Sequence, residues 1–318
     1  MAYKKFSEQE ITRAAETDLV DMLRRQGEEL KAVGSEYEWK HGADRITIRG
    51  GQWYNHYEQK GGNAIKFVQE FFGKNFKEAM EYLLGSTAGE LKQAKPVQQK
   101  PKGEFQPPAK SESMRRVYAY LLTKRGLDKD VVATFARNGL IYESADYHNA
   151  VFVGKDKDGK TRHISMRGTG TKSTYRGNAE NSTPEYSFHW RGKSDRLYVF
   201  EAPIDMLSYI SMHKEDWEQH SYAACCGVGD RVVHQMLTDN PNIKKVYLCL
   251  DNDDKGQKFD KLIADKLFEK GVASKILVPT KKDWNEDLLA QQAEQQAQAQ
   301  ETDESEAEEE EPCQALQL

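Results

Sequence analysis

Arg196-Leu-Tyr-Val-Phe-Glu201-Ala-Pro-Ile-Asp205 and Lys244-Lys-Val-Tyr-Leu-Cys-Leu-Asp251-Asn-Asp253-Asp254-Lys-Gly256 decide the fold of this 318-residue chain. Each opens with a short run of β-branched, aromatic and aliphatic residues, the pattern of a strand buried on both faces. In each, the carboxylates begin where the apolar run ends. A parallel α/β sheet places its ligand site at the carboxyl edge of its strands. Glu201, Asp251 and Asp253 are therefore positioned to converge there. Such an oxygen-only pocket suits a hard cation, Mg²⁺ or Mn²⁺. The plainer alternative is a doubly wound domain whose strand-end acids cap the helices that follow.

These motifs resemble the Toprim domain, shared by bacterial primases, topoisomerases and small nucleases: a Glu after one strand and Asp-x-Asp after a later one. Between them, Ser221-Tyr-Ala-Ala-Cys-Cys-Gly227-Val-Gly-Asp230 is similar to the family's middle strand and glycine turn. The resemblance implies a Toprim-type parallel-sheet domain over residues 193–289, with Glu201, Asp251 and Asp253 as catalytic and metal-holding residues. In that group the Glu is assigned either metal ligation or general acid/base work. A third acidic stretch, Lys281-Lys-Asp283-Trp-Asn285-Glu286-Asp287, follows the short strand-like run from Lys275 to Pro279. Primase-like Toprim domains draw additional acids from this region, so Asp283 joins the implied metal set, with a helix-start cap as its alternative. Asn285 stands where primases tend to have an acid. Asp205 reads as a supporting or capping residue, and Asp254 as an exposed helix-start acid.

Upstream, residues 115–124 have a helical pattern, and Arg125-Gly-Leu-Asp128 turns into a second helix from Lys129. Two strands follow around Asp158-Gly159, the second ending in Arg167-Gly168. This small α+β segment, residues 113–192, resembles the subdomain that precedes Toprim in primases. It is more similar still to an uncharacterised family that accompanies Toprim in proteins of conjugative elements. Arg162, Arg167, Lys172, Arg176 and Arg191 are its candidates for gripping phosphates, Arg167 first on the strength of the family match. Solvated loop charge is the ordinary alternative for the others.

The amino-terminal segment, residues 1–88, is read as a second small α+β domain. Ser7-Glu-Gln-Glu10 has the form of a capping box. Residues 44–49 and 52–57 alternate around Gly50-Gly51 as a hairpin. Asn63 is placed to cap one helix, and another is expected over residues 75–84. The stretch from Trp53 to Phe67 resembles the zinc-ribbon domain of bacterial primases, with one departure. Where that family has a Cys-x-x-Cys pair, Asn55 and Glu58 stand here, and no cysteine precedes Cys225. His41 and His56 alone cannot complete a tetrahedral structural site, so no structural zinc is expected. Trp53 and Tyr54, with His56, Tyr57, Arg49 and Lys60, are candidates for an aromatic and basic face for single-stranded nucleic acid. Alternatively, alternate members of that set form the hairpin's core.

Composition bounds the rest. The formal charge of −5 becomes +4 over residues 1–289 once the nine acids of residues 290–318 are set aside. That tail of Gln, Ala and Glu is expected to lack order, and the Pro- and Lys-rich residues 89–112 to be a flexible linker. The four cysteines have no metal-ligand spacing. No apolar run reaches the ~20 residues of a membrane span, and no signal core opens the chain, so a cytoplasmic protein that does not engage membranes is expected. The order of modules favours a Mg²⁺-dependent, primase-like nucleotidyltransferase making RNA primers on single-stranded DNA from nucleoside triphosphates. Its context would be a mobile element, beside a relaxase or helicase. A Toprim nuclease and a non-enzymatic DNA-binding accessory factor are the rivals.

Overall fold

The computed structural model describes residues 6–41, 44–55, 60–85, 91–94, 103–227 and 229–310. Contacts divide the chain into two compact units, Met1–Lys102 and Gly103–Leu318.

In the first unit, α1 (Glu8–Ala15) starts at Ser7, whose hydroxyl accepts from the Glu10 backbone N–H while the Glu10 carboxylate accepts from the Ser7 N–H. Asp18 caps α2 (Leu19–Arg25), its carboxylate accepting from the Val20 and Asp21 N–H groups. An antiparallel sheet follows, ordered β1 (Leu30–Val33), β2 (Glu36–His41), β3 (Asp44–Arg49), β4 (Gln52–Asn55) and β5 (Lys60–Asn63). The glycine-linked hairpin of the sequence is its β3–β4 pair. Asn63 caps α3 (Ala64–Phe72), and Asn75 with Glu78 forms a second capping box on α4 (Phe76–Leu83). Ile46, Ile48 and Trp53 point inward by strand alternation and meet Trp39, Phe67 and Leu23 in the core. His56, Tyr57 and Glu58 lie outside the described residues.

The second unit opens with α5 (Arg115–Tyr118), which widens into a π turn over Ala119–Lys124. Next come α6 (Lys129–Arg137), capped by Asp128, and a four-stranded antiparallel sheet of β6 (Ile141–Glu143), β7 (Ala150–Lys155), β8 (Thr161–Arg167) and β9 (Arg176–Asn178). The chain continues through β10 (His189–Trp190), β11 (Arg196–Phe200), α7 (Pro203–Met212), β12 (Ser221–Ala224) and α8 (Arg231–Asp239). It ends with β13 (Lys245–Leu248), α9 (Asp254–Glu269), β14 (Ala273–Ile276) and α10 (Trp284–Glu310). The second sheet is ordered β10-β12-β11-β13-β14, with β10 antiparallel to β12 and the other neighbours parallel. From β11 the chain steps to β12 on one side and then crosses back to β13 on the other. The strand order therefore reverses between β11 and β13, which is where such sheets open a ligand crevice.

Three sequence boundaries shift. Residues 113–192 and 193–289 share one core, in which Val117, Phe135 and Phe152 pack with Phe200, Tyr209 and Trp284. β10, from the first of those stretches, pairs into the sheet of the second. The linker is anchored at both ends: Asp18 N–H donates to the Lys92 carbonyl, and Ser111 N–H to that of Glu143. Order also extends past residue 290, because Leu288 is buried, Gln292 Nε2 donates to the Gly126 carbonyl, and α10 runs on to Glu310. Ala, Gln and Glu are strong helix formers, so a docked first turn propagates through them. Among the described residues no helix is long and apolar enough to cross a membrane.

Candidate active site

Glu201 follows β11 directly, and Asp251 and Asp253 follow β13, so the crevice at the strand reversal has carboxylates on both sides. Asp253 is the N-cap of α9, its Oδ1 accepting from Lys255 N–H at 3.0 Å and Gly256 N–H at 2.9 Å. One of its oxygens thus performs the capping role that the plainer sequence reading gave it. Gly256 permits this tight entry: a Cβ there would lie 2.0 Å from the Asp251 carbonyl oxygen. Asp283 Oδ1 caps α10 through Glu286 N–H at 2.8 Å. Among the described residues Glu201 and Asp251 cap nothing, and the Asp251 Oδ1 is buried without a hydrogen-bond partner.

Electrostatics join these groups. Burial lifts the Asp251 carboxyl to about 7, assisted by the negative charges of Glu201, Asp283 and Asp253. Glu201 is raised by burial and then by Asp253, against the pull of Arg176, Lys255 and Lys282. Asp205, in the first turn of α7, is 7% exposed. It is held well above the usual carboxylate range by burial, then by Asp251, Asp283 and Glu201, with Arg125 opposing. No capping bond forms at the start of α7, so Asp205 is a member of the acid cluster and not a cap.

Two asparagines build the frame: Asn252, which sequence reasoning did not place, and Asn285, which it set at a position expected to carry an acid. Asn252 Nδ2 donates to the Pro279 carbonyl at 3.2 Å and to that of Lys281 at 3.3 Å, drawing the segment before Asp283 alongside Asp251. Asn285 is buried; its Nδ2 donates to the Arg125 carbonyl (2.8 Å) and Ser208 Oγ (3.0 Å), and its Oδ1 accepts from Arg125 Nη1 (3.1 Å). An acid at this position could not supply those two donors. The signal for Asn252 was its place inside Asp-Asn-Asp; Arg125 and Asn285 are 160 residues apart and gave none.

The basic candidates separate. Arg167 and Arg176 face each other across β8 and β9, and Arg176 is within charge range of Glu201. Asn178 Nδ2 donates to the Cys226 carbonyl at 3.0 Å, fastening β9 near the end of β12. Lys172 is exposed in the β8–β9 connection. Arg162 lies at the opposite end of β8, paired with Asp156 at 3.8 Å, and Arg191 is paired with Asp239 at 2.8 Å. In the other unit Trp53 corrects an expectation. It is 5% exposed, with ring centroids 5.0 Å from Phe71 and 5.9 Å from Phe67, so its faces serve the core and not a base. Tyr54, on the other side of the strand, is half-buried. His41 rests against Trp39 and Phe71.

Residues 198–288 match the family described as Toprim-like. The chain carries a Toprim-like domain. Residues 119–194 match a family described as a protein of unknown function (DUF3991), and together the two segments make most of the second unit. An uncharacterized protein of Bacillus anthracis is 28% identical over 93% of this chain and 94% of its own length. Among solved structures, the Aquifex aeolicus primase (zinc-binding and RNA polymerase domains) is 18% identical, covering 88% of this chain and 82% of that one at a TM-score of 0.37. The primase fragment of the bacteriophage T7 primase-helicase protein is 16% identical, covering 78% and 90% at 0.42. Likeness this loose assigns no residue a role.

The donor chemistry of the cluster fits a hard divalent cation: oxygen only, mutually repelling, with an orphaned oxygen on Asp251. Among the described residues, no three His, Cys, Asp or Glu side chains are set as a metal would require.

Proposed function

We propose that the Toprim-like domain performs Mg²⁺-dependent phosphoryl transfer, run as primer synthesis: joining nucleoside triphosphates into RNA on single-stranded DNA. The observation that carries this reading is the gathering of acids at the strand reversal, where burial and the charges of Glu201 and Asp283 raise both Asp251 and Asp205 and leave an oxygen of Asp251 buried without a partner among the described residues. Asp251, Asp253 and Asp283 would hold the metal, and Glu201 would either join them or hold a proton at the attacking hydroxyl. A bound divalent ion supplies charge neutralisation for the transferring phosphoryl group. Burial lifts Glu201 above the ordinary carboxylate range, which favours its holding a proton.

Arg167 and Arg176 support the same reading. Like charges directly opposite one another destabilise a sheet, and among the described residues neither forms an ion pair. A phosphate bridging the two guanidiniums would relieve that repulsion, and bidentate geometry suits arginine to the task. Phosphates of template or incoming nucleotide would thus be gripped beside Glu201.

The test is to incubate the full chain with single-stranded DNA, the four nucleoside triphosphates and Mg²⁺. Oligonucleotides extended in a metal-dependent way, and absent with Glu201→Gln or Asp251→Asn, are the expected result. Shortened DNA would turn the same residues to hydrolysis. No product of either kind, with DNA binding intact in both variants, would return the chain to an accessory binding role.

A further inference from the structure

The loop between β6 and β7 contains a feature that the acid cluster does not explain. Tyr147 is 88% exposed and sits at φ +62°, followed by His148 at φ +52°. Two consecutive non-glycine residues in the left-handed region are unfavourable, most of all when one is a bulky aromatic. The strain is held by a dense set of bonds. Ser144 N–H donates to the Asn149 carbonyl, and Asn149 N–H to Ser144 Oγ, both at 3.0 Å. His148 Nδ1 is 2.6 Å from Glu143 Oε1, and the other Glu143 oxygen accepts from the Arg116 and Val117 N–H groups that open α5. Thr169 Oγ1 donates to the His148 carbonyl at 2.7 Å. A fastened loop thus displays a phenol ring to solvent, where it adds nothing to a core.

A second exposed tyrosine belongs to a segment hydrogen-bonded to this loop. Tyr175 is 46% exposed, and its carbonyl accepts from Gly168 N–H at 3.0 Å. Gly168 precedes the Thr169 that ties down His148, so the two tyrosine segments meet at residues 168–169. Around them stand Arg167, Arg176 and Lys172, with Lys124 Nζ 3.5 Å from the Thr171 carbonyl. Aromatic rings beside unpaired cations are what single strands require, since every base offers a π face and every linkage a negative charge.

We infer that Tyr147 and Tyr175 form a stacking platform for bases of single-stranded nucleic acid. The strand's phosphates lie on Arg167 and Arg176 and its path leads to Glu201. This rests on the proposed function for the path toward the carboxylates, and the experiment separates the two.

Fluorescence anisotropy of the full chain compares an oligothymidylate of about twenty nucleotides with an abasic sugar-phosphate strand of the same length. Tyr147→Asn keeps a residue tolerant of the left-handed backbone and removes the ring; Tyr147→Phe keeps the ring. The wild type binds oligothymidylate more tightly than the abasic strand. Tyr147→Asn and Tyr175→Ala each weaken oligothymidylate binding by about 5- to 20-fold and leave abasic binding unchanged, while Tyr147→Phe behaves as wild type. If both ring-removed variants bind oligothymidylate within about twofold of wild type while Arg167→Ala and Arg176→Ala do not, the platform is wrong and the site reading stands. Equal loss on both strands also overturns it. A wild type that binds neither strand overturns the platform and the proposed function together.

Discussion

The acids of the first unit and those at the strand reversal of the second are treated in opposite ways. In the first, acids near the core have partners: Asp18 accepts two backbone N–H groups, and Asp21 faces Arg25 at 2.9 Å and Lys92 at 3.5 Å. In the second, Glu201, Asp205 and Asp251 are raised by burial and by neighbouring negative charge. Buried like charges cost stability unless something neutralises them. The first unit is thus arranged for its own stability, and the second carries an unfavourable charge density that only protons or a cation relieve. Such an arrangement marks a functional site more reliably than the presence of acids at strand ends.

The contrast breaks first at Trp53. If it is a core residue, Trp53→Ala destabilises the first unit by about 3–5 kcal/mol. A urea melt of the full chain followed by circular dichroism would show this as an early transition, with the second unit's transition unmoved. A melt unchanged from wild type, with weakened strand binding, would restore the ring as a nucleic-acid contact.

Asp251 supplies the complementary case. Asp251→Asn is expected to lower Mg²⁺-dependent turnover by about 10²–10³-fold, the range for removing a preorganised charge partner. The same substitution raises the melting temperature of the metal-free protein near pH 8, because it removes a buried charge that its neighbours repel. Lost activity together with gained stability separates a functional acid from a structural one. A drop in both would place Asp251 with the structural acids.

Much of this was legible in the sequence, for a physical reason. Strands β7, β11 and β13 grow from short apolar runs, the helix starts carry Ser7, Asn63, Asn75 and Asp128 at their caps, and the β3–β4 and β7–β8 hairpins turn on glycine; all are local signals. The positions of Glu201, Asp251 and Asp253 at strand ends follow from the same pattern. What was hidden depends on long-range contact. β10 is two residues long and pairs only because Phe188 and Trp190 pack in the shared core. The frame of Asn285 joins residues 160 positions apart. Trp53 alternates with Tyr54, and alternation gives two faces without saying which one the core takes.

Asn285 sharpens the comparison at a smaller scale. Asn285→Asp replaces two donors with an acceptor facing the Arg125 carbonyl and Ser208 Oγ, and is expected to cost about 1–3 kcal/mol. Thermal melts check this; Asn285→Ala, which removes donors without adding charge, should destabilise less. If Asn285→Asp melts as wild type and binds Mg²⁺ more tightly, the position belongs to the acid cluster and not to its frame.

The pH dependence of stability is the smallest expected effect and the most direct measure of the cluster's charge. Asp251 titrates at about 7 in the folded protein against an ordinary 3.8. Between those values the folded state holds a proton that the unfolded state has released, so stability falls as pH rises through the window. Glu201 and Asp205 are raised and act with the same sign. Buried His163 and His189 act oppositely: both are lowered from 6.5 to about 4 by burial, so they add stability as pH rises from about 4 to 6.5. The wild-type curve is therefore a compromise below 6.5, whereas the difference between wild type and Asp251→Asn isolates the carboxylate. That difference should move against the wild type by on the order of 1 kcal/mol between pH 4 and pH 8, after allowing for the water that still reaches Asp251. Mg²⁺ should diminish it at high pH, where the carboxylate is free to bind, and leave it unchanged at pH 4. A flat difference profile would mean that Asp251 ionises in the fold as it does in the unfolded chain, and the two units would then treat their acids alike.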